Sequence, residues 1–340
     1  MNKKAFLVIT SIANQENKVL QTYGSYCHLN HIPFILIGDS KSPDVFKING
    51  CEFFGIPEQK ELPFISANLI PEKHYARKNI GYLIAAKRGA EIIIETDDDN
   101  FPMAEFWNDR EISPESVLIE NAAWLNIYNY FTKEMIWPRG FAIEHLNDIL
   151  PHLDNFQTLE TICPIQQGLA NENPDVDAIY RLILRLPFNF DSNRNVSIGQ
   201  NTWCPFNSQN TTWFREAFLL LYLPSYCSFR MTDIWRSFVA QRICWENGWN
   251  ILFHKATVWQ ERNNHDLLKD FEDEIPGYLN NKKITDTLSG LHLLKGKENI
   301  NLNLIKCYQS LVELNLVDQM ELNLLEAWIS DMANILLNWV

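Results

Sequence analysis

The sequence predicts an α/β fold: a mainly parallel sheet with flanking helices, followed by an all-helical C-terminal region. Three observations predict it. Short apolar runs alternate with helical patterns through the first hundred residues, which is the mark of a doubly wound sheet. Three consecutive Ile residues at 92–94 suit a strand buried on both faces, as parallel sheets require. Beyond about residue 280, Leu and Ile recur at helical spacing through Leu337. We therefore divide the chain into an α/β domain over residues 1–280 and a helical region over 281–340.

In order, residues 5–10 read as a first buried strand. The polar loop Ser11-Ile12-Ala13-Asn14 follows, placed where a nucleotide base lies in such sheets. This makes Ser11 and Asn14 candidate donor contacts. Residues 15–28 read as a helix and 33–37 as a second strand, ending in Gly38-Asp39-Ser40. Asp39 either serves a ribose or base edge or belongs to an ordinary turn. A short third strand covers 51–56. Residues 73–88 read as a helix, with Ala76, Ile80, Leu83 and Ile84 on its buried face and Gly89 as its cap. Arg77 and Lys78 fall in its first turn, where the helix dipole disfavours cations. They either serve an anionic partner or form a solvated pair.

That helix leads into Glu-Ile-Ile-Ile-Glu-Thr-Asp-Asp-Asp-Asn at 91–100, around which the chain is organised. The carboxylates of Asp97, Asp98 and Asp99 repel one another, and a divalent cation such as Mn²⁺ or Mg²⁺ reverses that repulsion. Ligands of α/β sheets sit beyond the carboxyl ends of strands, so the triplet reads as a metal site presenting a diphosphate. The alternative is a solvated acidic turn. Farther along, Thr232 is a candidate N-cap of a helix around 232–247, and 250–259 reads as a late strand. The C-terminal helices read as a bundle packed on the catalytic domain or as a surface for a protein partner or oligomer.

Composition narrows the class. A net charge of −13 over 340 residues disfavours nucleic acid, which selects a basic face, and no polybasic anchor is present. No apolar run approaches the roughly 18 residues of a membrane span. The first apolar run, about six residues, is short for a signal peptide and suits a core strand. Seven scattered cysteines without CxxC pairs suggest reduced thiols in a cytoplasmic protein, free or peripheral to a membrane.

Six segments recur together in known families. Tyr75-Ala-Arg-Lys-Asn-Ile-Gly-Tyr-Leu, Thr96-Asp-Asp-Asp-Asn, Trp137-Pro-Arg-Gly-Phe, Gln167-Gly-Leu-Ala-Asn with Asn173-Pro-Asp-Val-Asp, Asp233-Ile-Trp-Arg and Gln260-Glu-Arg-Asn-Asn-His-Asp resemble, in that order, the STELLO glycosyltransferases. More distantly they resemble the reversibly glycosylated polypeptides, which include UDP-arabinopyranose mutases. The resemblance spans roughly residues 1–280 and implies a GT-A-like fold. It implies that Asp97 lies nearest the ribose and sugar, that Asp99 is the main metal ligand with Asp98 beside it, and that His265 is a further ligand. It matches Arg139 to an arginine that becomes glycosylated in the distant family, leaving open whether it is modified here. It places Asp233 as the catalytic acid or base, against the alternative of a helix N-terminal charge. Asp175 and Asp177 are sugar-hydroxyl contacts or a turn.

The expected chemistry is transfer of a sugar from a nucleoside-diphosphate sugar, a UDP-sugar by preference, to a glycan or other hydroxyl acceptor. The metal takes up the leaving charge, Arg77 or Lys78 adds to it, and Asp233 deprotonates the acceptor if the anomeric centre inverts. A nucleotide-sugar mutase uses the same site without an acceptor, and a non-catalytic sugar-nucleotide-binding scaffold is the non-enzymatic alternative. A nucleotidyltransferase would need a Gly-rich phosphate loop after the first strand, and residues 11–17 contain no Gly.

Overall fold

The apolar run at the start forms β1 (Ala5–Thr10), and its alternation divides the core. Ala5, Leu7 and Ile9 face one apolar cluster, while Phe6 and Val8 face another on the opposite side of the sheet. The computed structural model describes residues 4–261 and 266–337. Helix α1 (Lys18–Leu29) is capped by Asn17, whose side chain accepts from the Leu20 N–H. It buries Val19, Leu20, Tyr23 and Cys27 on the first cluster. Strands β2 (Phe34–Ile37) and β3 (Glu52–Phe54) and the short helix α2 (Ile56–Lys60) complete the first layer.

Helix α3 (Lys78–Lys87) starts later than its apolar pattern suggests. The ring Nδ1 of His74 accepts from the Ala76 N–H and starts a 3₁₀ turn over Tyr75–Arg77 instead. Gly89 ends the helix at a φ of 88°, where glycine carries no Cβ penalty. The chain then enters β4 (Ile92–Thr96). Strands β1, β2, β3 and β4 are mutually parallel, with Ala5 opposite Ile92 and Leu7 opposite Phe34. Both faces are covered, as the triple Ile requires.

The middle adds β5 (Asn100–Pro102), β6 (Glu115–Ile119), β7 (Ala123–Trp124), β8 (Thr158–Glu160), β9 (Ile165–Asn171) and helix α4 (Ala178–Ile183). Then come β10 (Asn195–Ile198), β11 (Thr202–Trp203), β12 (Asn210–Phe214), helix α5 (Thr232–Glu246) and β13 (Ile251–Gln260). The main sheet has the order β3-β2-β1-β4-β12-β9-β13-β10-β6-β8, with β5 paired to β13. Strand β12 runs antiparallel between β4 and β9, with Asn210 opposite Thr96. Thr232 lies inside α5, whose N-cap position is Met231.

Helices α6 (Leu267–Gly290), α7 (Ile300–Glu313) and α8 (Met320–Leu337) close the fold. Position 280 lies within α6. Leu288, Leu304, Leu311, Leu325 and Trp328 belong to the same buried cluster as Phe6, Val8 and Ile93 of the sheet. Two carboxylates of α8 reach into loops far away in sequence. Glu321 accepts from the Ser225 and Tyr226 N–H groups at 2.9 and 2.6 Å. Asp331 accepts from Ile65 and Ser66 N–H and from the Ser66 hydroxyl. Among the described residues, no helix is long and apolar enough to cross a membrane.

Candidate active site

Beyond Thr96 the chain turns sharply into β5 and presents three carboxylates in different directions. Asp97 Oδ1 pairs with Lys78 Nζ at 2.9 Å. That ammonium is itself buried and also donates to the Thr96 carbonyl at 3.0 Å. Asp98 accepts from the Ser11 hydroxyl. Asp99 accepts from Gln260 Nε2 at 3.0 Å and from Asn100 Nδ2 at 3.2 Å. Desolvation pushes all three carboxyls above the usual range. For Asp99 it does so to about 7, with the Asp97 charge adding to the burial. Lys78 is the cation paired with this triplet among the described residues. Asp98 and Asp99 have only neutral partners there.

The opposite wall is built by Arg139 and the start of α5. Its Nε and Nη2 reach Asp175 at 2.8 and 2.9 Å. The same Nη2 reaches both oxygens of Asp233, at 3.1 and 2.9 Å, and Nη1 donates to the Arg230 carbonyl. Ser208 adds its N–H to Asp233 Oδ2 at 3.1 Å, and the Tyr75 hydroxyl accepts the Asp233 N–H at 2.9 Å. Burial alone would raise the Asp233 carboxyl. The Arg139 charge and hydrogen bonds outweigh it and hold the group below its ordinary range, the expected response to a close cation. Gly140 follows Arg139 at a φ of 86°, and a side-chain carbon there would overlap Ile234 of α5. Glycine at position 140 is therefore required by the backbone.

Between the walls lies a cavity of about 450 Å³, lined by Lys78, Asp97, Asp98, Asp99, Arg139, Asp175 and Asp233, among others. Ser11 joins it through Asp98. Four other predicted residues are used elsewhere. Asn14 is exposed and accepts from the Glu16 N–H in a local turn. Asp39 directs its oxygens to the Lys73 and His74 N–H groups at 2.8 and 2.9 Å, so it anchors the approach to α3 and does not line the cavity. Arg77 is buried away from it, donating to Gln59 Oε1 and the Ile70 carbonyl. Asp177 caps α4 through the Tyr180 N–H and accepts from Trp137 Nε1. His265 lies outside the described residues.

Tyr75, Ser208, Gln209 and Gln260 also line the cavity. Gln260 and Tyr75 stand in the recurring segments, but nothing in their spacing marks them as partners of Asp99 and Asp233. Ser208 comes from the loop before β12, and its role depends on that strand inserting beside β4.

Among the described residues, no three His, Cys, Asp or Glu side chains converge to form a closed metal cage. The residues fit a different kind of metal site. Mg²⁺ commonly binds one or two carboxylates and completes its shell with water and substrate phosphates. Asp98 and Asp99 are two cavity-lining carboxylates of raised pKa without a described cation, and they suit that arrangement.

The chain is similar in sequence to known proteins. Residues 230–340 match the family model of the STELLO glycosyltransferases. Two Arabidopsis thaliana relatives, described as probable glycosyltransferases STELLO2 and STELLO1, are 29% and 28% identical over 243 residues, covering 66% of this chain. The chain spans 32% of the length of each. Among solved structures, the M. tuberculosis glucosyl-3-phosphoglycerate synthase is similar at a TM-score of 0.40, with 10% identity over 83% of this chain and 81% of that one.

Proposed function

We propose that this chain, which is similar to the STELLO glycosyltransferases, moves a sugar from a nucleoside-diphosphate sugar, a UDP-sugar, to a hydroxyl acceptor with the help of Mn²⁺ or Mg²⁺. One observation carries the reading. Two carboxylates without a described cation, Asp98 and Asp99, share a cavity with a buried ammonium, Lys78, and with a second carboxylate cluster across it. The first group suits a metal–diphosphate and the second suits the transferred sugar and its acceptor.

Asp98 and Asp99 would hold a divalent ion, and the chemistry such an ion would supply is Lewis-acid stabilisation of the leaving diphosphate. Lys78, held in place by Asp97 and the Thr96 carbonyl, adds a fixed positive charge on the same side. Asp175 and Asp233 face the sugar and acceptor. Arg139 keeps Asp233 ionised but weakly basic while the pair is intact. Asp233 becomes competent to take the acceptor proton as the incoming hydroxyl displaces Nη2 toward Asp175, which already holds the same guanidinium through Nε. With every nitrogen of Arg139 engaged, the residue acts as an orienting cation and not as a nucleophile.

Incubation with UDP-sugars, with and without Mn²⁺, followed by product chromatography, tests the proposal. The expected result is metal-dependent release of UDP with sugar on an acceptor or on water. Interconverted nucleotide sugars without released UDP would establish a mutase instead. Mn²⁺-dependent UDP binding without any turnover would favour the scaffold.

A further inference from the structure

Beneath the cavity lies a second layer of polar groups that the chemistry above does not use. Glu95 precedes Asp97 by two residues and is fully buried in β4, directly after the three Ile residues. Its two oxygens receive Arg236 Nη2 and Nη1 at 2.8 and 3.1 Å. Trp213 Nε1 donates to it at 2.7 Å, and the Tyr82 hydroxyl also donates to it. The Arg236 guanidinium lies over the Trp213 ring, 4.9 Å from its centre. One carboxylate thus joins β4, α3, β12 and α5.

The sequence offsets are informative. Tyr82 follows Lys78 by four residues on α3, and Arg236 follows Asp233 by three on α5. Residues three and four apart lie on one helix face about one turn, roughly 5 Å, apart. Helices α3 and α5, which each lend a charged group to the cavity, therefore each lend a second group, about one turn along, to the Glu95 cluster. A buried ion pair is weak evidence for stability, because well-packed apolar groups of similar volume serve as well or better. What the pair supplies is direction: a planar guanidinium on a carboxylate sets both distance and angle.

We propose that Glu95, Tyr82 and Arg236 are positioning residues that set the distance between the diphosphate side of the cavity (Lys78 and Asp97) and the acceptor side (Asp233). This rests on reading the cavity as a sugar-transfer site. The layer touches neither donor nor acceptor; it acts by holding three elements in register.

The test is the double variant Glu95→Leu/Arg236→Met, which replaces the buried pair by apolar groups of similar size, together with Tyr82→Phe, which removes one hydrogen bond from the cluster. Melting temperature, donor KM and kcat are measured for the full chain. The double variant leaves the Tyr82 hydroxyl and Trp213 Nε1 without their acceptor, so it is expected to melt below the wild type, keep its donor KM, and lose about 10²-fold in kcat per folded molecule, the scale of a 1 Å misplacement. Tyr82→Phe is expected to fold normally with a smaller loss confined to kcat. It carries the test if the double variant does not fold. A lower melting temperature with unchanged kcat per folded molecule would assign these residues to stability alone and overturn the proposal. Wild-type protein that neither binds UDP with Mn²⁺ nor turns over a UDP-sugar would overturn the reading of the cavity, and this inference with it. Active wild type with unaltered variants would overturn the positioning layer alone.

Discussion

Arg139 holds Asp233 through a nitrogen it shares with Asp175: Nη2 lies 2.9 Å from each of the two carboxylates. Asp233 therefore behaves as a side chain of an ion-pair triad and not as a simple helix-terminal charge. This changes what its replacement should do.

Asp233→Asn keeps shape and polarity but cannot take a proton. Arg139 retains Asp175, so no guanidinium is left unpaired, and the fold should survive. We expect kcat to fall about 10²–10⁴-fold, the usual worth of a general base, while Mn²⁺ and UDP bind as before in calorimetry. Turnover near that of the wild type would remove Asp233 from the reaction.

Arg139→Met should be the more damaging change, because it leaves the buried Asp233 and the partly buried Asp175 without their cation. Breaking such a pair from one side costs about 3–5 kcal/mol. The pH dependence should also reverse in sign. In the wild type the folded-state pKa of Asp233 is depressed from 3.8 to about 2. Its contribution is fully present above about 4 and is lost as pH falls toward 2. Without Arg139, burial raises that carboxyl above its unfolded value. The variant then loses stability as pH rises and recovers some on acidification. Urea melts at pH 7 and pH 5 check this: a variant no less stable than wild type at pH 7 would contradict the buried triad.

Asp99→Ala and Asp98→Ala should each weaken the joint binding of Mn²⁺ and UDP, and removal of the metal by chelation should abolish it in the wild type. Isothermal calorimetry provides the measurement. Unchanged UDP affinity in Mn²⁺ for both variants would mean that the triplet is an acidic turn and not a metal site.

Gly140→Ala places a methyl against Ile234 and demands a positive φ from a residue with a Cβ. Overpacking of this kind costs about 1–3 kcal/mol. Because Gly140 joins Arg139 to the start of α5, activity should fall with stability. A denaturation midpoint equal to that of the wild type would show that the turn relaxes freely.

Removal of residues 315–340 should unfold the protein and not merely trim it. It would expose Leu325 and Trp328, which are part of the sheet's own core. It would also leave the loop N–H groups held by Glu321 and Asp331 without partners. Circular dichroism of the shortened chain decides this, and a cooperative melt near the wild-type temperature would show α8 to be dispensable.

Much of the fold was legible because strand and helix burial is written locally. The runs at 5–10 and 92–94 read as buried strands and form them, and Asp97–Asp99 follow directly on the end of the second. Arg139 and Asp233 stood out through the family resemblance, and the structure brings them into contact. Asp39, Arg77 and Asp177 carry the right chemistry in the right neighbourhoods, yet their side chains are used on Lys73 and His74, on Gln59 and Ile70, and on Tyr180 and Trp137.

By itself, then, the sequence determined which segments are buried, where the negative charge ends a strand, and that positively charged groups stand near it. The tertiary structure decided which charges meet. Periodicity reports the side of an element that is buried but not its neighbour, and the partner atoms lie far along the chain. Inserting β12 between β4 and β9 brings Ser208 to Asp233 and Trp213 to Glu95. Packing α5 against β4 brings Arg236 to Glu95 across 141 positions. Those long-range choices separate the carboxylates that are ion-paired inside the protein from Asp98 and Asp99, whose side-chain hydrogen-bond partners among the described residues are uncharged.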